Sequence, residues 1–248
     1  MAKSFFLRKP LALAGDALGY FLRHVFPALG LLLSLGLLAA AGALFLFYDL
    51  AEDVHEGDTR RFDNSALAFV NRFASPPLTS FMRGVTYLGS NEFLLGAGAC
   101  VVLAFVLTRR RRGAFTLLLT MAGAALLNFT LKTLSGRERP EPFFGLSPPD
   151  SYSFPSGHAL LSFCFYGMIA AVVTARMRGA GRCASVWACA ALLVALIGLS
   201  RIYLGVHYPS DVAAGFVAAF VWLVVVASAD RVLEARRRQK SDGLRRQG

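Results

Sequence analysis

The chain has 248 residues, of which 56% are hydrophobic and 17% charged, with a formal net charge of +11. That balance excludes an ordinary soluble domain, which is less apolar and scatters its charges more evenly. A basic chain can bind nucleic acid, but here the positive charge sits at the ends of apolar blocks, where it reports membrane topology.

Residues 1–24, with aromatic, leucine and basic residues mixed in SFFLRKPLALAGDALGYFLRH, have the make-up of a helix lying in the cytoplasmic interface. They are too long a lead, and the next apolar block too long a core, for a cleaved signal peptide. Six blocks of roughly 16 to 24 residues follow, the length that spans a bilayer. They cover about Val25–Tyr48, Gly84–Thr108, Ala114–Leu131, Gly157–Thr174, Ala184–Leu199 and Asp211–Ala229, the second interrupted by Glu92. The fold class expected is all-α, a six-transmembrane-helix bundle in a single domain over 1–248, ending in a basic cytoplasmic tail at 230–248. That tail either touches anionic headgroups or is solvated.

Basic residues set the orientation. Lys3, Arg8, Lys9 and Arg23 precede the first span, Arg109 to Arg112 join the second to the third, Arg176, Arg178 and Arg182 join the fourth to the fifth, and seven more follow the sixth. All fall on one side, which the positive-inside rule makes cytoplasmic, so both termini are cytoplasmic. The loop after the first span is acidic and faces outside. In it Phe62, Ala66, Phe69, Val70 and Phe73 recur at helical spacing and predict an amphipathic outer-face helix between spans 1 and 2. Such a helix packs on the bundle as a lid or lies on the outer leaflet. The segment from Ser135 to Phe154 carries four of the ten prolines and predicts an irregular loop. The four cysteines form neither a disulfide framework nor a zinc spacing.

Three motifs fall at span ends on the outer side: Lys132 with Arg139-Pro140, Pro155-Ser156-Gly157-His158, and Ser200-Arg201 with His207 and Asp211. Taken singly, each residue has a structural reading. Lys132 and Arg201 can snorkel to headgroups, His158 can sit at a helix end, and Asp211 can be an N-cap. Together they bring three fixed cations, two histidines and a carboxylate to one surface, a costly arrangement without a function. If the third helix continued two turns past Lys132, Arg139 would share its face. Ser156 and Gly157 stand at a helix start, where free amides favour an anion. His207 and Asp211 are four apart, so the carboxylate can reach one ring nitrogen and leave the other free to attack. Phosphoryl transfer needs charge neutralised on three oxygens, which two guanidiniums and an ammonium supply.

With all three motifs in order, the chain resembles the type 2 phosphatidic acid phosphatase family, or lipid phosphate phosphatases, in its membrane-bound branch. The family pattern is Lys-x6-Arg-Pro, Pro-Ser-Gly-His and Ser-Arg-x5-His-x3-Asp. The resemblance covers the second half of the chain, and more loosely the stretch Thr86 to Ser90. It implies a metal-free site with no cofactor. His207 is then the nucleophile, oriented by Asp211. His158 is the acid that protonates the leaving group and later the base that activates water. Lys132, Arg139 and Arg201, with Ser156 and the Gly157 amide, hold the phosphate. The implied reaction is hydrolysis of a membrane lipid phosphate or diphosphate at the non-cytoplasmic face of a bacterial inner membrane. Phosphatidic acid, phosphatidylglycerol phosphate, undecaprenyl diphosphate and lipid A type substrates all fit, and the same site admits a lipid acceptor in place of water. A transporter usually shows polar residues near mid-span or paired repeats, whereas here the charges sit at span ends, apart from Glu92.

Overall fold

The structure, a computed structural model, describes residues 31–145 and 150–245. The interfacial helix expected within residues 1–24 lies outside the described residues. The regular structure described is entirely helical: α1 Leu31–Glu56, α2 Arg60–Asn71, α3 Pro76–Tyr87, α4 Asn91–Leu107, α5 Arg111–Ser135, α6 Gly157–Thr174, α7 Ala180–Tyr203 and α8 Pro209–Arg245.

By length and hydropathy α1, α5, α6, α7 and α8 can each cross a membrane, and the bent pair α3 and α4 passes the same test together, which gives up to six spans. Leu95, Phe115, Leu126 and Phe129 project from their helices and are well exposed. In water such a surface would aggregate, whereas hydrocarbon is its natural solvent.

The second span differs from the continuous helix expected over Gly84–Thr108. It breaks after Tyr87 and bends by 46° between α3 and α4. Ser90 restarts the chain as an N-cap, its hydroxyl accepting from the Phe93 amide at 3.2 Å. Glu92 falls in the first turn of α4, where the positive end of the helix favours a carboxylate. The residue that interrupts the apolar run therefore marks a helix start. The last span, α8, also differs in length, running to Arg245 rather than ending near Ala229.

Ala41–Leu223 forms one compact unit and holds every candidate site residue. The second unit takes the chain up to Ala40 and from Val224 onward. Within the larger unit α6 packs against both α5 and α7, α4 against α5, and α3 against α7. Its main core gathers Leu117, Ala124, Leu160, Cys164, Phe165 and Ala219. Trp222 of α8 donates from Nε1 to the Thr120 carbonyl of α5 at 2.9 Å. At Gly215 the start of α8 crosses so close to α6 that a Cβ would fall 2.7 Å from the Ser156 carbonyl oxygen. Only glycine allows that approach, and it brings Asp211 onto the Pro155–Gly157 turn.

The outer helix forms where expected, as α2, but with a face that the spacing did not indicate. Phe62, Phe69 and Phe73 are more than half exposed, while Asp63 and Leu67 are buried. The helix turns a carboxylate inward and its phenylalanines outward.

Candidate active site

The three motifs converge. Lys132 is in the last turn of α5, His158 in the first turn of α6, Arg201 in the last turn of α7 and Asp211 in the first turn of α8. Arg139 arrives from a loop. α5 stops at Ser135, with Gly136 in the left-handed conformation, so the two-turn helical extension toward Arg139 does not form. His158 lies within electrostatic reach of Arg201, His207, Arg139 and Lys132 together.

His207 sits in the turn between α7 and α8, buried. That turn depends on Gly205, whose φ is +68° and whose Cβ would fall 2.9 Å from the backbone nitrogen of Phe143. The Phe143 amide donates to the Leu204 carbonyl at 3.1 Å, tying the proline-rich loop to the turn. One ring nitrogen of His207, Nδ1, lies 3.4 Å from Oδ2 of Asp211. The other, Nε2, lies 3.0 Å from Nη1 of Arg139. An arginine only donates, so Nε2 is the acceptor and Nδ1 carries the proton that faces Asp211. Burial pushes the imidazole down to about 3, although Asp211 opposes this. Arg139 and Arg201 push in the same direction as burial. The ring is therefore neutral at physiological pH, with its accepting lone pair on Nε2.

Asp211 is fully buried and densely bonded. Oδ2 accepts from Ser153 Oγ, in a short contact, and from the Tyr208 amide at 2.9 Å. Oδ1 accepts from Arg137 Nη1 at 2.6 Å. Such a carboxylate cannot rotate, and it fixes the tautomer and plane of His207.

Arg139 and Lys132 also order the loop around the site. Arg139 donates to the Ser151 carbonyl at 2.7 Å, to Ser151 Oγ at 3.0 Å and to the Val206 carbonyl at 2.8 Å. Lys132 donates to the Tyr152 carbonyl in a short contact. Arg201 is held by Thr86 Oγ1 at 2.7 Å, while its buried Nε–H has no partner. A buried donor without an acceptor is expensive, and a phosphate oxygen is an acceptor that would satisfy it. Thr86 lies just before the break in the second span, so the bend helps to place Arg201.

Ser156 ties the start of α6 to α8. Its amide donates to the Asp211 carbonyl at 2.9 Å and its Oγ caps the Ala159 amide, leaving the hydroxyl proton as its remaining donor. Gly157 opens α6, so its amide is among those without a helical carbonyl partner.

Sequence reading missed Arg137, Asp63, Ser153 and Ser210, which surround Asp211. Arg137 stands two residues before Arg139, and Ser153 directly precedes Phe154-Pro155. Adjacency to the motifs was the only signal for those two. Among the described residues no group of three or more His, Cys, Asp and Glu side chains is placed to hold a metal ion.

The PAP2 superfamily profile matches residues 113–233. The chain is 32% identical over 200 residues to phosphatidylglycerophosphatase B of Bacillus subtilis (strain 168), covering 80% of this chain and 98% of that protein. It is also 32% identical over 172 residues to the decaprenylphosphoryl-5-phosphoribose phosphatase of Mycobacterium tuberculosis (strain ATCC 25618 / H37Rv), covering 67% of this chain and 86% of that protein. Among solved structures it superposes on the crystal structure of the transmembrane PAP2 type phosphatidylglycerolphosphate phosphatase from Bacillus subtilis, with a TM-score of 0.70 at 29% identity. That superposition covers 75% of this chain and 93% of the other.

Proposed function

Because this chain belongs to the PAP2 superfamily and is a lipid phosphatase, we propose that it hydrolyses a membrane lipid phosphate or diphosphate through a phosphohistidine on His207, at the non-cytoplasmic face of a bacterial inner membrane. The observation that carries the mechanism is the orientation of the His207 ring, with Nδ1 on Asp211 and Nε2 on Arg139.

In the first half-reaction Nε2 attacks phosphorus in line with the lipid oxygen. The N–P bond forms as the P–O bond breaks, and His158 gives a proton to the departing alkoxide or phosphate. To attack, Nε2 gives up its hydrogen bond from Arg139, and a phosphoryl oxygen takes that N–H in exchange. Positive charge grows on the imidazole and Asp211 stabilises it through Nδ1–H. Lys132, Arg139 and Arg201 neutralise the equatorial oxygens. In the second half-reaction His158 takes a proton from water, oxygen attacks phosphorus, and the N–P bond breaks to release inorganic phosphate and restore neutral His207. Splitting one displacement into two lowers each barrier.

An apolar cavity of about 850 Å³ along α4 and α5 supports a lipid over a soluble substrate. Leu94, Val102, Leu117 and Met121 line it, and Asn91 and Asn128 supply its polar residues. Asn128 touches the start of α6, since a Cβ on Gly157 would stand 3.1 Å from its amide nitrogen. The cavity thus adjoins the phosphate cradle. A chain moving into it from the bilayer leaves one apolar solvent for another, so it gains alignment rather than hydrophobic affinity. Phosphatidylglycerol phosphate, phosphatidic acid and polyprenyl phosphates all meet these requirements.

The test is phosphate release by purified protein from a panel of these lipids in mixed micelles, with and without EDTA. Lys132, Arg139 and Arg201 carry the charge, so EDTA should leave the rate nearly unchanged and vanadate should inhibit. Loss of activity on chelation with recovery on adding magnesium would sink the metal-free mechanism, and turnover of soluble phosphate monoesters alone would sink the lipid assignment.

A further inference from the structure

We propose that Asp63, on the outer helix α2, is a positioning residue for phosphoryl transfer, acting through Arg137 on Asp211 and so on His207. The proposal rests on the His207 mechanism above and extends it to an element outside the three motifs.

The geometry is a continuous chain of charges in which a nearly buried arginine joins two buried carboxylates. Arg137 forks between two carboxylates, Nη2 on Asp63 Oδ2 at 2.7 Å and Nη1 on Asp211 Oδ1 at 2.6 Å. Both carboxylates are wholly inaccessible. Ser210 fills the angle between them. Its Oγ accepts from Arg137 Nη1 at 2.7 Å and donates to Asp63 Oδ2 at 2.6 Å, while its amide donates to Asp63 Oδ1 at 3.1 Å. The guanidinium lies over the Tyr208 ring, 4.3 Å from its centroid. Each of the four carboxylate oxygens accepts at least one hydrogen bond.

Two carboxylates on one arginine have an electrical consequence. Arg137 alone would neutralise Asp211 and weaken its hold on a positively charged imidazole. With Asp63 opposite, the trio carries a net charge of about −1 beside His207. The other groups acting on His207 are Arg139 from the loop, Arg201 from α7 and His158 from α6. The fixed ones are cationic, so the extra negative charge bears on the step where His207 becomes positive. Burying an acid and a base only to anchor a surface helix brings little stability, because replacing such groups by apolar ones is often neutral. A structural anchor therefore accounts poorly for this arrangement, and a catalytic one accounts for it directly.

The experiment compares Asp63→Asn with Leu67→Ala, a buried apolar change on the same helix. Phosphate release from lipid micelles is measured against pH, with thermal unfolding in detergent as the folding control. Asp63→Asn should lower kcat by about 10- to 100-fold, the scale for groups that orient a functional histidine, with KM within about twofold. Less negative charge disfavours a proton on His207, so the acid limb should also move to lower pH. Leu67→Ala should lower the unfolding temperature without moving that limb. An unchanged kcat and acid limb in Asp63→Asn overturns the proposal, as does an equal shift in Leu67→Ala. Should Asp63→Asn not fold, Ser210→Ala decides. It removes the bridging hydroxyl and keeps all three charges, so kcat should fall several-fold at an unshifted limb, and an unchanged kcat refutes the role. His207→Ala is assayed in parallel: full turnover there means that the His207 reading has failed, whatever Asp63 does.

Discussion

Nη1 of Arg139 donates to Nε2 of His207 across 3.0 Å, so in the proposed mechanism the cation that binds phosphate rests on the nucleophilic atom. The contact sets the tautomer, with the Nε2 lone pair accepting from Arg139, and the proposed mechanism exchanges it for a phosphoryl oxygen. Arg139 also reaches Ser151 and Val206 with its other N–H groups, a pattern that needs a planar fork.

Arg139→Lys should therefore behave as a severe change. An ammonium cannot reach Ser151, Val206 and a phosphate oxygen at once. We expect kcat/KM for lipid to fall by ~10²–10³, the scale of losing one oxyanion donor, in a protein that still folds by circular dichroism. Wild-type kinetics in this variant would remove Arg139 from the site.

The two histidines should separate by leaving group. His207→Ala should lose both turnover and any trapped phosphoenzyme. His158→Ala should lose ~10²–10⁴ on lipid, the range for a general acid, and much less on an activated aryl phosphate whose leaving group needs no proton. Equal losses on both substrates, in both variants, would contradict the role assignment. A phosphoenzyme persisting in His207→Ala would place the nucleophile elsewhere.

His207 should also couple stability to pH. Burial lowers its pKa to about 3 from the ordinary 6.5, so below 6.5 the unfolded chain binds a proton that the native site resists. Its contribution to stability is complete above about pH 6.5 and is lost as pH falls toward about 3. Unfolding midpoints in detergent at stepped pH should fall more steeply over that window for the wild type than for His207→Gln. Parallel curves would show that the imidazole is not held neutral.

Sidedness is checked by labelling. In a background with the native cysteines replaced by serine, a cysteine at Asp58 should react with an impermeant thiol reagent on intact cells. One at Gly113 should react only after the cells are opened. The reverse pattern would falsify the assignment of the site to the outer face.

The apolar blocks, the basic clusters and the three motifs are local features, and each was legible in the sequence. Bilayer thickness dictates the length of a span, and phosphate chemistry dictates cations beside a histidine, so Lys132, Arg139, His158, Arg201, His207 and Asp211 could be named without coordinates. What the tertiary structure decided was which way residues face and which distant residues meet. Helical periodicity marked α2 as amphipathic, but in a membrane protein an apolar face can turn to lipid as readily as to the core. The phenylalanines accordingly point out and Asp63 points in. The break at Leu88–Ser90 and the end of α5 at Ser135 depend on a single cap each, Ser90 and Gly136, which a hydropathy window averages away. The Asp63–Arg137–Asp211 chain joins residues 74 apart on either side of Arg137. A buried charge is stable only where its partner stands, and that partner is fixed by the packing of the helices, not by spacing along the chain.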